Sequence, residues 1–310
     1  MNKMFKRFAR IVIKKISNTR FAIYMLQRLT DGESNQRVIG GDIQHNNSFY
    51  YKFITLIARF NKSEREIFKV ANFFFIRNFS MKLNINEYTQ CGYFFGIVDC
   101  DLLSIISKGK GIFIDVGSNV GIYSLAASQT FDKVFAFEPS EVTFNLLNQN
   151  ISLNESGNIT IMRVALSNET SMVNLYHNPL NNGGASLNEP SKNAINNHID
   201  YNWNNVESVK TDKMDNVFGN INGDINLIKI DVEGHEISVI KGGLEIIKLH
   251  NPLIYAEVSG DYEKVVEIID LLPPTYFAYS LVDNKDLSTV NYHIPSDVLF
   301  LPESKRSYLI

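Results

Sequence analysis

An acidic residue, a glycine-rich turn and a second acidic residue form the clearest chemical signal in this sequence. An apolar run ends in Asp115 and is followed by Gly117 and Gly121, and the next apolar run ends in Glu138. Glycine after a buried strand allows a sharp turn, and the start of the following helix offers free N–H groups to a polar ligand. A carboxylate at the end of the next strand accepts hydrogen bonds from ribose hydroxyls. The pattern predicts the nucleoside-binding half of an α/β protein.

The spacing of the glycines indicates which nucleoside ligand to expect. A dinucleotide-binding fingerprint has a second glycine two residues after the first, where the backbone approaches a pyrophosphate. Asn119 occupies that position here, and the next glycine is Gly121. The turn is therefore better suited to a ligand without phosphates, such as S-adenosylmethionine, whose ammonium group Asp115 would suit. Ser118 and Asn119 can cap the following helix, and both belong to the candidate cofactor contacts.

A second set of polar residues follows a later apolar run. Asp231 ends that run, Glu233 and His235 follow it, and Glu257 ends the next one. Because the carboxyl ends of parallel strands share one edge of a sheet, these side chains are expected beside the nucleoside turn. Methyl transfer from a sulfonium requires in-line alignment and, for a hydroxyl acceptor, a base that takes the proton. Asp231 is the first candidate for that base, and Glu257 and His235 come next.

Other interpretations of the same residues stay open. His235 stands early in a predicted helix, where it can be a partly exposed structural residue. Glu233 and Glu236 lie near the start of that helix, where acidic side chains also stabilise the helix dipole. Oxygen ligands suit Mg²⁺, so Asp231 and its acidic neighbours could bind a divalent metal. We do not favour a metal site.

The elements that position these residues follow from the hydrophobic pattern. Strand and helix patterns alternate from residue 111 onward, which predicts an α/β fold with a mainly parallel sheet and helices on both faces. The predicted strands are residues 112–115, 133–137, 159–164, 225–230, 253–258, 276–282 and 297–301, after an earlier strand at 81–86. The predicted helices are residues 101–107, 120–129, 141–153, 235–248 and 261–271. The last two strands lack a crossover helix and are expected to pair antiparallel at the sheet edge.

The Asn-rich segment from Asn178 to Asn205 interrupts this alternation. Its glycines and prolines predict a long structureless insertion. Such insertions inside compact domains are usually functional or disordered. Because the segment follows the third strand of the sheet, it is expected near the carboxyl edge, where it could form a mobile lid over a substrate.

Composition bounds the class of protein. The chain has 310 residues, 45% of them hydrophobic, and a net charge of −3, so the overall charge does not point to a nucleic acid partner. The two cysteines, Cys91 and Cys100, form neither a disulfide framework nor a zinc-binding pattern. These features fit a cytoplasmic protein best.

The first 80 residues differ from the rest and are interpreted as a mainly helical N-terminal extension of an α/β domain at residues 81–310. Residues 1–30 carry eight basic side chains and no acidic one, with apolar residues at helical spacing. Such a helix can lie peripherally on an anionic membrane surface, and the alternative is that it packs on the domain with a solvated basic face. No apolar run approaches the roughly 18 residues that span a bilayer. Basic residues interrupt every candidate core of a secretory signal.

With these motifs in place, residues 81–302 resemble the FkbM-type methyltransferases, a branch of the class I enzymes that use S-adenosylmethionine. The matching stretches are Phe113–Gly121, Ala136–Pro139, Val164–Asn168, Gly183–Leu187 and Leu227–Glu236. They occur in the family's order and at its spacing, and the last two are the most specific. The chain has Asn168 where the family has Asp, which weakens any role for a charge there.

The resemblance implies a Rossmann-like sheet of seven strands, mostly parallel with an antiparallel last strand, and a cofactor bound at the strand ends. It implies cofactor contacts at Asp115, Gly117, Asn119, Gly121 and Glu138, with Ala165 near the adenine. The family is similar to sugar and natural-product O-methyltransferases, often of polysaccharide or secondary-metabolite pathways.

The leading hypothesis is therefore an S-adenosylmethionine-dependent O-methyltransferase that acts on a hydroxyl of a small glycan or natural product. A nicotinamide-dependent oxidoreductase is the first alternative, and the missing second glycine disfavours it. The second alternative is a non-catalytic, membrane-associated module that keeps the fold as a scaffold. The sequence indicates neither the acceptor nor an oligomeric state.

Overall fold

The computed structural model describes residues 66–73, 76–84, 87–94, 98–178, 181–190, 205–287 and 294–309. The predicted basic helix in residues 1–30 and most of the Asn-rich segment lie outside these residues. The described chain opens with a hairpin of β1 (Glu66–Phe73) and β2 (Ile76–Asn84), which pair antiparallel. The interpretation of residues 1–80 as helical and irregular is therefore wrong from residue 66 onward. The alternation of buried Phe79, Met81 and Leu83 extends the predicted strand backward into this region.

The remaining strands follow in chain order. They are β3 (Ile112–Val116), β4 (Lys133–Phe137), β5 (Ile159–Met162), β6 (Ala165–Leu166), β7 (Met172–Asn178), β8 (Asn181–Ser186), β9 (Val206–Asp212), β10 (Ile225–Ile230), β11 (Leu253–Glu257), β12 (Tyr276–Ser280), β13 (Lys285–Asp286) and β14 (Asp297–Pro302).

Eight α-helices accompany these strands in the described residues. They are α1 (Tyr88–Phe94), α2 (Cys100–Ser107), α3 (Ile122–Ala127), α4 (Glu141–Leu153), α5 (Met214–Phe218), α6 (Glu236–Lys241), α7 (Leu244–His250) and α8 (Tyr262–Leu271). A 3₁₀ helix at Glu303–Leu309 follows β14.

The main sheet has the strand order β13-β12-β14-β11-β10-β3-β4-β5. Strands β5, β4, β3, β10 and β11 are parallel, while β14 runs antiparallel to both β11 and β12. The Rossmann-like α/β fold with an antiparallel last strand is thereby confirmed, and the two-residue β13 adds an eighth strand at the edge. The fold brings the carboxyl ends of β3, β4, β10 and β11 to one edge of the sheet.

A smaller sheet with the order β6-β9-β7-β8 lies beside the main one. It contains Asn181–Ser186, which pairs antiparallel with β7, so this part of the Asn-rich segment is not structureless as predicted. The backbone of these Asn and Gly residues is paired with β7. Their side chains gave no sign of a strand, because Asn and Gly are rare in strands. The lid function of the segment stays a prediction.

The predicted helix at residues 235–248 is divided into α6 and α7 by Gly242 and Gly243. A Cβ on Gly242 would lie 1.9 Å from the carbonyl oxygen of Ser167, which leaves no room for a side chain. The close passage of the chain beside Ser167 explains the break in the helix.

Two hydrophobic clusters cover the two faces of the main sheet, and the first of them includes Phe79, Met81 and Leu83 of β2. Helix α4 holds the backbone of β2 through two asparagines. The amide of Asn150 accepts from Lys82 N at 2.7 Å, and that of Asn154 accepts from Ser80 N at 2.8 Å. Strand β2 is thus packed as part of the α/β body, while the domain boundary at residue 81 stays a prediction.

Candidate functional site

A cavity of about 240 Å³ opens at the carboxyl ends of β3, β4, β10 and β11. One wall, here called the glycine wall, consists of the turn Gly117–Asn119 and of Glu138. The opposite wall, here called the acid wall, consists of Asp231, Glu233 and Glu257, with Asp297 paired to Glu257 in the neighbouring strand. The cavity therefore brings the two predicted groups of polar residues together.

The glycine turn is held tightly by backbone contacts. The N–H groups of Gly117 and Ser118 both donate to the carbonyl of Phe137, at 3.0 Å and 2.9 Å. Gly117 has a φ of +75°, and a Cβ there would lie 1.9 Å from the carbonyl oxygen of Asp231. The glycine is thus required by the close approach of the two walls, whereas the sequence suggested that it leaves room for a ligand.

The helix after the turn begins differently from the prediction. The N-cap of α3 is Gly121, and no side chain caps the helix, so neither Ser118 nor Asn119 has the predicted capping role. A Cβ on Gly121 would lie 2.6 Å from Leu147 of α4, so this glycine allows two helices to approach. The buried Ser118 Oγ and Asn119 Oδ1 have no hydrogen-bond partner among the described residues.

The side chain of Glu138 is fixed by the backbone. One carboxylate oxygen accepts from Asn119 N and the other from Ser140 N, each at 3.0 Å. The residue is 7% exposed, and burial raises the pKa of its carboxyl to about 7 against the opposing effect of these hydrogen bonds. Each oxygen keeps a free lone-pair direction, which is what two neighbouring hydroxyls of a ribose require.

Asp115 is fully buried and does not line the cavity. It accepts a hydrogen bond from Ser124 Oγ at 2.6 Å and lies 3.3 Å from the ammonium of Lys229. Lys229 already supplies a cation here, and a direct contact between Asp115 and the ammonium of a ligand stays a prediction. Ser118 and Gly121 also lie outside the cavity lining, whereas Gly117, Asn119, Glu138 and Ala165 belong to it.

Lys229 is a residue beside the cavity that the sequence reasoning passed over. It lies one residue before the end of β10 and is 3% exposed. Its ammonium donates to the carbonyl of Gly117 at 2.8 Å and lies 3.5 Å from Asp231 Oδ2. The available signal was a single lysine inside an apolar strand. The sheet is covered on both faces, so a charged side chain there is buried and needs polar or charged partners.

The acid wall is electrostatically crowded. Burial raises the pKa of Glu233 to about 7 and that of Glu257 to about 8, and the charge of Asp231 adds to both shifts. Burial, followed by the charges of Asp99, Asp231 and Glu257, raises the pKa of Asp297 to about 8. The side chain of Asp231 is 45% exposed and has the Lys229 ammonium beside it. Asp231 therefore differs from the other three carboxyls, because the ammonium of Lys229 lies closer to it than any cation of the described residues lies to them.

The side chain of Glu236 organises the turn between β10 and α6. Its fully buried carboxylate accepts from Gly234 N at 3.0 Å and forms an ion pair with Lys264 of α8. Glu236 consequently has a structural role, beyond the dipole interaction considered from the sequence. The turn that it holds carries Asp231, Glu233 and His235 to the cavity.

His235 lines the cavity and is also tied to the smaller sheet. Its Nε2 lies 2.9 Å from Ser167 Oγ, just after β6. Burial lowers its pKa below the ordinary value for histidine, with Glu236 opposing the shift. The neutral imidazole that results can act as a base or hold Ser167. The structure thus retains both interpretations of His235.

Two further elements line the cavity: α1, which the sequence reasoning did not find, and the end of β8 in the Asn-rich segment, which was expected near this edge of the sheet. Thr89 and Tyr93 of α1 line it, as do Ala185 and Leu187 at the end of β8. Burial, followed by the charges of Asp231, Glu87 and Asp115, raises the pKa of the Tyr93 hydroxyl well above its usual value. Tyr93 is therefore a neutral hydroxyl close to Asp231.

In the described part of the chain, no three His, Cys, Asp or Glu side chains are arranged to hold a metal ion. The same described ranges contain no helix that is both long enough and apolar enough to cross a membrane.

The strand order and topology define a Rossmann-like α/β protein. The comparison with known families specifies the class further. The model of the methyltransferase FkbM domain matches residues 115–281, more than half of the chain. The chain therefore belongs to the FkbM methyltransferase family, which confirms the resemblance inferred from the motifs.

Curated relatives are similar over less than half of the chain. The hexuronic acid methyltransferase AglP of Haloferax volcanii is 33% identical over 149 residues, which are 47% of this chain and 55% of that protein. Methyltransferase 1 of Beauveria bassiana is 25% identical over 141 residues, which are 42% of this chain and 57% of that protein. The chain thus spans little more than half the length of these relatives.

Among solved structures, the methyltransferase FkbM from Methylobacillus flagellatus is similar at 17% identity and a TM-score of 0.40. The similarity covers 62% of this chain and 43% of that one. A putative methyltransferase from Streptococcus mutans, solved in complex with S-adenosylhomocysteine, is similar at 14% identity and a TM-score of 0.36.

Proposed function

We propose that this methyltransferase transfers the methyl group of S-adenosylmethionine to a hydroxyl of a small glycan or natural product. One observation carries the proposal: a single cavity places the Gly117 turn and Glu138 opposite Asp231 and Glu257. The first pair suits a nucleoside without phosphates, and the second supplies carboxylates for a hydroxyl acceptor. Family membership supports methyl transfer as the reaction and disfavours the nicotinamide alternative.

The residues of the glycine wall would hold the cofactor. The carboxylate of Glu138 would accept hydrogen bonds from the ribose hydroxyls, since its oxygens keep free lone pairs beside the backbone donors. Ala165 and the neighbouring apolar residues of the lining would contact the adenine. The unpartnered Oδ1 of Asn119 would offer an acceptor at the turn.

The residues of the acid wall would handle the acceptor. When bound, S-adenosylmethionine would supply an electrophilic methyl group to the acceptor oxygen and leave as S-adenosylhomocysteine. A carboxylate of the acid wall would take up the proton that the acceptor oxygen loses. Asp231 is the best placed for this step, because it lines the cavity and is the acid-wall carboxylate next to an ammonium. Glu257 and His235 stay as alternatives.

The glycan character of the acceptor is supported by the relative that acts on hexuronic acid. The acid wall itself favours a neutral, hydroxyl-bearing part of such an acceptor, because ionised carboxyls repel a negative charge. A divalent metal is not part of the proposal.

Calorimetric titration with S-adenosylhomocysteine tests the cofactor assignment. The wild-type chain should bind, and Glu138→Ala should weaken binding by at least about tenfold, because a charge-assisted hydrogen bond is lost. Glu245→Ala, on exposed α7, is the control and should bind like wild type. Absence of binding by the folded wild-type chain would refute the proposal.

We also propose a peripheral membrane contact through residues 1–30, on the ground of their eight basic and no acidic side chains. Sedimentation with anionic vesicles should fall when residues 1–30 are removed. Unchanged sedimentation of the shortened chain would exclude a role for this segment.

A further inference from the structure

The side chain of Lys229 connects the glycine wall of the cavity with the acid wall. Its ammonium donates to the carbonyl of Gly117 at 2.8 Å, lies 3.3 Å from Asp115 Oδ1 and lies 3.5 Å from Asp231 Oδ2. The ammonium thus donates one hydrogen bond, to a backbone carbonyl, and forms ion pairs with two carboxylates. One acceptor belongs to the glycine turn and another is the candidate base, so this single side chain touches both halves of the proposed site.

The sheet register produces this arrangement. Lys229 of β10 lies directly opposite Asp115 of β3 in the parallel pair. Because side chains alternate along a strand, Lys229 and Asp231 point to the same face of the sheet. The sharp turn at Gly117 then brings its carbonyl back over β10, where Asp231 N donates to Val116 O at 3.1 Å.

The charge state of Lys229 follows from its neighbours. Burial by itself lowers the pKa of the ammonium, but the carboxylates of Asp115 and Asp231 outweigh burial and raise it above the usual value for lysine. The side chain is therefore positively charged at neutral pH.

We propose that Lys229 is the positioning residue of the active site, which fixes the Gly117 turn against Asp231 and holds the Asp231 carboxylate in place for proton removal. This inference rests on the proposed function, in which Asp231 takes the proton of the acceptor. The ammonium distinguishes Asp231 from Glu233, Glu257 and Asp297, whose pKa values burial raises to between about 7 and about 8. Lys229 would thus select the base among four neighbouring acids.

Other titratable groups face Lys229 and Asp231 from every element around them, and they contribute to the electrostatic surroundings of this pair. They are Asp115 of β3, Tyr123 of α3, Glu138 of β4, Glu233 after β10, Glu257 of β11, Asp297 of β14, Tyr93 of α1 and Asp99 before α2. Apart from the two tyrosines these groups are acids. Removal of the Lys229 ammonium therefore takes away the positive charge that lies beside these acids, and their mutual repulsion is no longer offset by it.

The test is the pH profile of kcat at saturating cofactor for Lys229→Met and Lys229→Arg. In Lys229→Met the acid limb should move to higher pH by about one unit or more, because the acids around the cavity lose the positive charge of the Lys229 ammonium. At pH 7 the value of kcat should fall by about 100-fold. In Lys229→Arg, which keeps the charge, the acid limb should stay in place. The value of kcat should still fall, because the longer side chain displaces the Gly117 turn and Asp231.

Lys241→Met is the control. It removes the ammonium of an exposed ion pair with Glu267 and should leave the profile unchanged.

The outcomes separate this inference from the proposed function. An unmoved acid limb in a folded Lys229→Met overturns the positioning role, even if Asp231→Asn is inactive. A fully active Asp231→Asn overturns the base assignment itself. If Lys229→Met does not fold, Lys229→Met/Asp115→Asn carries the test, because it leaves no buried carboxylate opposite a missing cation. Failure of both variants to fold would show a purely structural lysine and would also overturn the proposal.

Discussion

The glycine wall and the acid wall of the cavity hold their carboxylates in opposite ways. On the glycine wall, both oxygens of Glu138 accept backbone N–H groups at 3.0 Å. On the acid wall, Glu233, Glu257 and Asp297 repel one another and Asp231. The first wall is thus ordered by the backbone, and the second by the balance of charges among side chains.

This difference suggests a division of labour. A backbone-ordered wall suits a ligand that is always the same, because the backbone N–H groups hold the Glu138 carboxylate in one orientation. A wall of crowded carboxyls changes its charge near neutral pH, and it suits a step in which a proton moves. The two walls touch where Gly117 approaches the carbonyl of Asp231, so a change at this contact should disturb both.

The largest expected effect concerns Asp231. Asp231→Asn should lower kcat by about 1,000-fold with little effect on cofactor binding, because a general base contributes about 10² to 10⁴ to the rate. Glu257→Gln, the matched amide substitution on the same wall, should lower kcat much less. Methyl-transfer rates at saturating cofactor measure both variants. A larger loss in Glu257→Gln would move the base to Glu257, and an unchanged kcat in Asp231→Asn would remove Asp231 from the chemistry.

The contact between the walls predicts the next effect. Gly117→Ala should lower the free energy of unfolding by about 3 kcal/mol or more, because the alanine is strained at a positive φ and its Cβ meets backbone atoms of Asp231. Gly157→Ala is the control, since a Cβ there meets nothing within 4 Å. Denaturant unfolding measures both. Equal stability of the two variants would contradict the close contact.

The glycine wall could be predicted from sequence almost completely. The order of apolar run, glycine turn and acid is local, and a parallel sheet then places Gly117 and Glu138 side by side. The sequence could not show why residue 117 must be a glycine, because the backbone that a side chain would meet belongs to Asp231, which lies far away in the sequence. The orientation of Asp115 toward Lys229 depended on the register of β3 against β10, which no local pattern specifies.

The acid wall could be predicted only in part. Asp231, Glu257 and His235 line the cavity as the strand-end rule suggested. Asp297 was not identified, because it enters through the antiparallel β14, at that strand's first residue rather than at its carboxyl end. Tyr93 comes from α1, outside the alternating pattern. Such contributions depend on tertiary packing, and the sequence carries no period or spacing for them.

The pH dependence of cofactor binding follows from the glycine wall and is smaller. Because burial raises the pKa of Glu138 to about 7, its carboxylate becomes protonated as the pH falls through that value and loses acceptor capacity for the ribose. The Kd for S-adenosylhomocysteine should therefore rise by about tenfold between pH 8 and pH 6. In Glu138→Gln the affinity should be lower and should vary less over this range. Calorimetric titrations at several pH values measure it, and equal slopes for both chains would contradict the assignment to Glu138.

The smallest effect concerns the stability of the acid wall. Burial raises the pKa of Glu257 to about 8 in the folded chain, above the usual value for Glu, so the folded state binds an extra proton between these values. Stability from this group is complete below the unfolded pKa and is lost as the pH rises through about 8. The Tm should therefore fall by about 3 °C between pH 6.5 and pH 9. Glu257→Gln should show a smaller fall, since a neutral amide needs no proton. Thermal unfolding of both chains without cofactor measures the difference, and parallel curves would show that Glu257 is ionised in the folded protein throughout.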